Sequence, residues 1–94
     1  MRRSKLEIYT DILQVLAFRG QMKLTHIMYK SNVNCSVLKE QLDFLIKTSL
    51  VEERLVEKEK VEYAITSKGM QVLKAFKDIR QVFPEEKHAT QLLY

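Results

Sequence analysis

Residues 23–51 read KLTHIMYKSNVNCSVLKEQLDFLIKTSLV. The run holds two short helical patterns separated by a polar turn, SNVN (31–34), and it closes on the apolar pair Leu50-Val51. In the second pattern Leu38, Leu42, Leu45 and Ile46 fall at intervals that place them on one face of a helix. Asn34 precedes that helix, where its side chain can accept N–H groups of the first turn, so a helix is predicted from there to about Thr48. The first pattern predicts a shorter helix, His26 to about Lys30, capped by Thr25, with Ile27 and Met28 inward. Ser31-Asn32-Val33 is the turn, and Val33 is its apolar plug.

Two extended stretches follow directly. Leu50–Val56 and Lys60–Ile65 read as paired strands, the second alternating Val61, Tyr63, Ile65 against Glu62, Ala64. Glu57-Lys58-Glu59 forms the tip. It contains no Asn-Gly or Asp-Gly, so a turn longer than two residues is predicted. Helix, turn, helix and hairpin in this order is the arrangement of a winged helix-turn-helix, an α+β and mainly helical fold that places one helix in a DNA groove.

The flanks fit the same plan. Ser4-Lys5-Leu6-Glu7 matches a capping box, opening a helix from about Lys5 to about Phe18 with Leu6, Tyr9, Ile12, Leu13 and Leu16 on one face. Gly20 suits its C-terminal stop. Met22-Lys23-Leu24 is a candidate short strand pairing with the hairpin. Thr66 or Ser67 caps a last helix reaching about Phe83, with Met70, Leu73, Phe76, Ile79 and Phe83 as an apolar stripe. That stripe packs onto the first helix of the same chain or forms a dimer seam. Pro84 interrupts the helix; residues 84–94 form a short terminal helix or a frayed tail. The chain thus divides into a DNA-binding unit (1–66), a dimerisation helix (67–83) and a tail (84–94).

Composition narrows the function. A 94-residue chain, 46% hydrophobic and 30% charged, makes one ordinary globular domain. No stretch approaches a membrane span and no signal peptide is evident, so a cytoplasmic, nucleoid location without membrane contact is expected. Cys35 is the only cysteine, which excludes an intrachain disulfide and suits a reducing compartment. With His26 and His88 it cannot form a usual zinc site, and the isolated Gly20 and Gly69 make no phosphate loop. No nucleophile–base pair or paired-carboxylate site stands out, so neither enzyme chemistry nor a cofactor is expected. Residues 1–50 carry eight Lys/Arg and four Asp/Glu, whereas residues 51–94 carry eight of each. All of the net +4 therefore lies in the half with the helix-turn-helix, the polarity that double-stranded DNA attracts.

Candidate phosphate contacts are Arg2, Arg3 and Lys5 in an N-terminal arm, Lys23 and Lys30 around the second helix, and Lys39 and Lys47 on the third. Asn34 opens the third helix, whose free backbone N–H groups can face a phosphate. Its outward face is predicted to carry Ser36, Val37, Glu40, Phe44 and Lys47. Base reading would fall to Ser36, Val37, Lys39 and Glu40; with no Arg on this helix, modest sequence specificity is expected. Phe44 on that face packs under the wing or against a partner. Residues 52–62 hold five Glu against Arg54, Lys58 and Lys60. Either those three cations turn toward DNA, or the wing faces a protein and the fold serves as an assembly module. Cys35 is a thiol sensor or simply a small semi-buried residue.

Four strings, RRSKLEIYTDIL (2–13), KLTHIMYKSNVN (23–34), LDFLIKTSLV (42–51) and YAITSKG (63–69), resemble the archaeal small winged-helix DNA-binding proteins. The similarity runs from residue 2 to about residue 80. It implies an archaeal source, a homodimer joined through a C-terminal helix, often a long antiparallel coiled coil, and a chromatin or transcriptional role. This chain departs at Pro84, which should end the last helix early, and at Cys35, where the family tends to have an aromatic residue.

Overall fold

The computed structural model describes residues 4–82; Arg2, Arg3, Phe83 and the segment 84–94 lie outside them. The order is α1 (Lys5–Arg19), α2 (Leu24–Ser31), α3 (Cys35–Lys47), β1 (Val51–Glu57), β2 (Lys60–Ile65) and α4 (Ser67–Val82). This is a winged helix: a helical core with a two-stranded antiparallel hairpin and a further C-terminal helix.

The expected capping box opens α1. Glu7 N–H donates to Ser4 Oγ and Ser4 N–H donates to Glu7 Oε1, both at 3.1 Å. Ile12, Leu13 and Leu16 are buried with Ile27, Leu38, Leu42, Leu45, Val51 and Leu73 in one core. Leu6, expected in that stripe, is instead partly exposed, because α1 begins beyond the edge of the core. Gly20 ends α1 at φ 88°, a left-handed conformation that favours glycine.

Two boundaries move. α2 starts earlier than expected, with Lys23 rather than Thr25 at its N-cap position, and no side chain caps it. The chain leaves Met22 and turns into the helix at once, since the Lys23 carbonyl already accepts from the N–H groups of His26 and Ile27. The expected strand at Met22–Leu24 therefore shrinks to a single bridge, in which Met22 and Tyr63 exchange both backbone bonds. Ser31, expected in the turn, is the last residue of α2. Asn32 supplies the turn at φ 56° and ψ 45°.

The hairpin pairs Val51 with Ile65 through to Glu57 with Lys60. The connection is the two residues Lys58-Glu59, not the longer loop expected. A register shift between Leu55 and Glu57 and a positive φ at Glu59 (63°) take up the geometry without an Asn-Gly.

The junction of α3 with α4 is closely packed and hydrogen-bonded. At the end of α3, Leu50 N–H reaches the Leu45 carbonyl and Ser49 N–H the Ile46 carbonyl, a Schellman ending with Ser49 at φ 66°. Thr66 then joins the two helices. Its N–H donates to the Leu50 carbonyl, its hydroxyl donates to the Ser49 carbonyl at 2.6 Å, and the hydroxyl oxygen accepts from Gly69 N–H at 3.0 Å. Lys68 Nζ adds a bond to the Thr48 carbonyl. A Cβ on Gly69 would lie 2.2 Å from the Leu50 oxygen and 2.7 Å from Ile65 Cγ1. Glycine is thus required by close approach, not by its φ.

Two substitutions test this junction in opposite directions. Gly69→Ala should cost about 2–4 kcal/mol, since a backbone carbonyl held by Thr66 cannot retreat. Ser49→Gly should stabilise by about 0.5–1 kcal/mol by relieving a left-handed residue. Urea denaturation midpoints at unchanged slope measure both.

Candidate nucleic-acid interface

The α2–turn–α3 unit is assembled by local chemistry. Asn32 closes α2, Val33 is buried beneath the turn, and Asn34 Oδ1 accepts from Val37 N–H at 3.0 Å to open α3. The Ser36 hydroxyl also donates to Asn34 Oδ1. Asn34 is therefore committed to the cap while remaining exposed at the surface.

The inward face of α3 is Leu38, Gln41, Leu42 and Leu45. Ser36, Lys39, Glu40, Asp43 and Lys47 are exposed on the rest of the helix. Val37, expected on the outward face, is instead half-buried against the core, because it lies one and two helical turns before the buried Gln41 and Leu45. Asp43 was not singled out from the sequence; helical phasing from Leu38 and Leu42 could have found it. This surface carries two cations, Lys39 and Lys47, and two anions, Glu40 and Asp43.

Phe44 finds a partner within the chain. Its ring stacks on Tyr9 of α1 with centroids 4.7 Å apart and planes 17° from parallel. Neither of its expected locations, under the wing or against a partner molecule, is needed to account for it. It remains 44% exposed and joins Leu6, Tyr9, Val72 and Phe76 in lining an apolar groove between α1, α3 and α4.

The other expected cations fall into two groups. Lys5, Lys23 and Lys30 are exposed on α1 and α2. Lys23 shares a depression with His26 from the start of α2 and Lys60 from β2, which brings the helix-turn-helix and the wing together. In the wing, Arg54 is held by Glu52 at 2.8 Å and by Gln21 at 2.9 Å, and Gln21 in turn donates to Glu62. Lys60 pairs with Glu57 at 3.5 Å, whereas Lys58 stands at the turn. Burial first, then the carboxylates of Glu53 and Asp43, raise the Tyr63 phenol above its ordinary pKa.

On α4, Leu73 is buried in the monomer's core, while Met70 and Ile79 are half-exposed and Phe76 lies beneath the Arg80 guanidinium at 4.8 Å. Val72 and Val82, not anticipated in the stripe, are also exposed. Cys35 is free and exposed rather than semi-buried. Among the described residues no group of His, Cys, Asp and Glu could hold a metal ion, and no helix is long and apolar enough to cross a membrane.

A helix-turn-helix followed by a hairpin wing defines the class of protein: a winged helix of the kind found in DNA-binding proteins. The winged helix-turn-helix family model matches residues 2–83, and the chain belongs to that family. Among solved structures it is similar to Sso10a-2, a DNA-binding protein from Sulfolobus solfataricus, at 26% identity over 98% of each chain, with a TM-score of 0.70. It is similar to a MarR family transcriptional regulator from Silicibacter pomeroyi at 18% identity and a TM-score of 0.73, covering 84% of this chain and 54% of that one. RosR from H. salinarum matches at 22% identity and a TM-score of 0.70, covering 92% of this chain and 87% of that one. The chain thus spans about half of the MarR family regulator. No curated protein matches it.

The Tyr63 environment sets a pH dependence. Its folded pKa is raised, so the stability contributed by keeping the phenol neutral is complete below the unfolded value of about 10 and is lost as pH rises through the folded value. Absorbance titration at 295 nm, wild type minus Tyr63→Phe, should show a midpoint above that of a free phenol. The combination Glu53→Gln with Asp43→Asn should lower it.

Proposed function

We propose that this winged helix binds duplex DNA as a homodimer and serves as a transcriptional regulator or chromatin-associated protein of an archaeal nucleoid. The observation that carries the reading is the exposed basic surface of the helix-turn-helix: Lys23 at the start of α2, Lys30 at its end, and Lys39 and Lys47 on α3. Arg2, Arg3 and Lys5 add an N-terminal arm. In this reading α3 enters the groove with Ser36, Lys39 and Glu40 toward the bases, Asn34 holds the start of α3 in place, and the arm and α2 neutralise phosphates. Val37 would act chiefly through packing.

The same reading gives residues 1–66 to DNA and residues 67–83 to dimerisation, with residues 84–94 as a tail. Met70, Phe76 and Ile79 of α4, together with Phe83, would form the seam, and Leu73 would anchor the helix to its own monomer. The exposed apolar residues Met70, Val72, Ile79 and Val82 on one 16-residue helix support it. No catalytic step and no cofactor are assigned.

A second reading, a protein-assembly module, is favoured by the wing. Arg54 and Lys60 are held by glutamates of their own hairpin, which leaves Lys58 as the wing cation without an ion pair among the described residues.

Fluorescence anisotropy against a labelled random-sequence duplex at several salt concentrations tests the main reading. Log K should fall linearly with log salt, by about 0.9 per phosphate contacted. Lys39→Glu and Lys23→Glu should each flatten that slope by about one unit or more, and Ile79→Glu should yield monomers in sedimentation. Absence of binding at low salt would remove DNA as the partner and favour assembly.

A further inference from the structure

The hairpin presents apolar side chains that no described residue covers. Leu55 is 73% exposed, Val61 sits opposite it in the strand register, and Val56 lies at the register shift beside it, about half exposed. Glutamates surround them. Residues 52–62 hold Glu52, Glu53, Glu57, Glu59 and Glu62, while two of their three cations are already engaged by Glu52 and Glu57. An apolar centre with an anionic rim is disfavoured against phosphate and suited to a basic protein surface.

Such a surface occurs elsewhere on the same molecule. At the end of α1 and the end of α2, Val15, Phe18, Arg19 and Lys30 line a shallow depression that no wing residue enters. Phe18 is 83% exposed, with the Arg19 guanidinium 5.8 Å from its ring centroid. Arg19 and Lys30 make no ion pair among the described residues. Asp11, Gln14 and Ser31 complete the lining. Apolar centre meets apolar centre, and anionic rim meets cationic rim.

We propose that the wing of one copy docks on the α1–α2 depression of a second copy, Leu55 and Val61 against Phe18 and Val15, with Glu53 and Glu59 toward Arg19 and Lys30. The two patches are different surfaces of one chain, so the contact is heterologous and runs from copy to copy, into a ring or an open chain. It is separate from the α4 seam. A contact of this size is weak alone and is strengthened when copies lie side by side on one duplex, a consequence that rests on the DNA-binding reading.

The test is sedimentation velocity of the full chain without DNA, at low salt over rising concentration. Wild type should grow beyond its smallest species, and growth should recede with added salt. Leu55→Asp removes the wing half and Phe18→Asp the depression half; both positions are exposed, and thermal unfolding monitored by circular dichroism verifies the fold of each variant. Each alone should associate at least about tenfold more weakly. An equimolar mixture of the two should form one-to-one pairs and grow no further, because one variant retains only the wing and the other only the depression. A charge pair gives an independent version: Arg19→Glu should abolish growth, and mixing it with Glu53→Lys should restore it in part. A wild type of constant size, single variants that associate like wild type, a Leu55→Asp and Phe18→Asp mixture that pairs no better than either variant alone, or a charge-swapped mixture that stays small while wild type grows would each overturn the proposal. Because no DNA is present, these outcomes are independent of whether the duplex-binding reading survives.

Discussion

The fold depends on one backbone contact, the approach of α4 to the carbonyl of Leu50. That oxygen sits at the end of α3 and accepts from Thr66 N–H, with Gly69 packed against it more closely than any Cβ allows. Through the Thr66 hydroxyl, the last turn of α3 and the first turn of α4 share one hydrogen-bond network. The hairpin is the loop between these two helices, so the junction fixes where both of its strands begin and end. The direction of the wing relative to α3 follows from it, as does the placement of Leu73 in the core. Ser49 holds a left-handed conformation to make the junction possible, a local strain that the surrounding bonds stabilise.

The order of elements was legible because strong local signals agreed. The Ser4–Glu7 capping box, the Asn34 cap and the Leu38–Leu42–Leu45 stripe each acted over a few residues, and each appears in the structure; the alternation of Val61, Tyr63 and Ile65 marked a strand but not its buried face, since Ala64 is buried and Val61 is exposed. What escaped reading was set by neighbours distant in sequence. The start of α2 depends on Met22 being pinned to Tyr63, so a good cap residue at Thr25 lost to chain direction. The hairpin turn closed over two residues because a bulge absorbed the mismatch. Phe44 looked misplaced on an outward face only because its partner, Tyr9, lies 35 positions earlier in the chain.

The candidate site was legible as a set of cations but not as a field. Composition located the positive charge in the first half, and most of those lysines are exposed on α1, α2 and α3. The structure adds the anions between them: Asp43 beside Glu40 on α3, and Glu53 against Tyr63 at the base of the wing. Lone residues in a sequence carry no direction, and the sign of a local potential depends on which carboxylates end up facing the same space.

That distribution constrains how a duplex could be held. The exposed surface of α3 is balanced in charge, so the helix alone supplies little non-specific attraction, which scales with the phosphates neutralised. In the proposed complex, attraction would then come from its flanks, Lys23 and Lys30 at the two ends of α2 and the cations at the chain's N-terminus. With no Arg on α3 to pair with guanine, its acids would act on a duplex mainly by exclusion. A carboxylate near a base edge tolerates a cytosine amino group and is repelled by the acceptors of guanine and thymine. Discrimination would rest on rejected sequences more than on selected ones, and an anionic wing beside the same groove would reinforce that repulsion instead of adding grip.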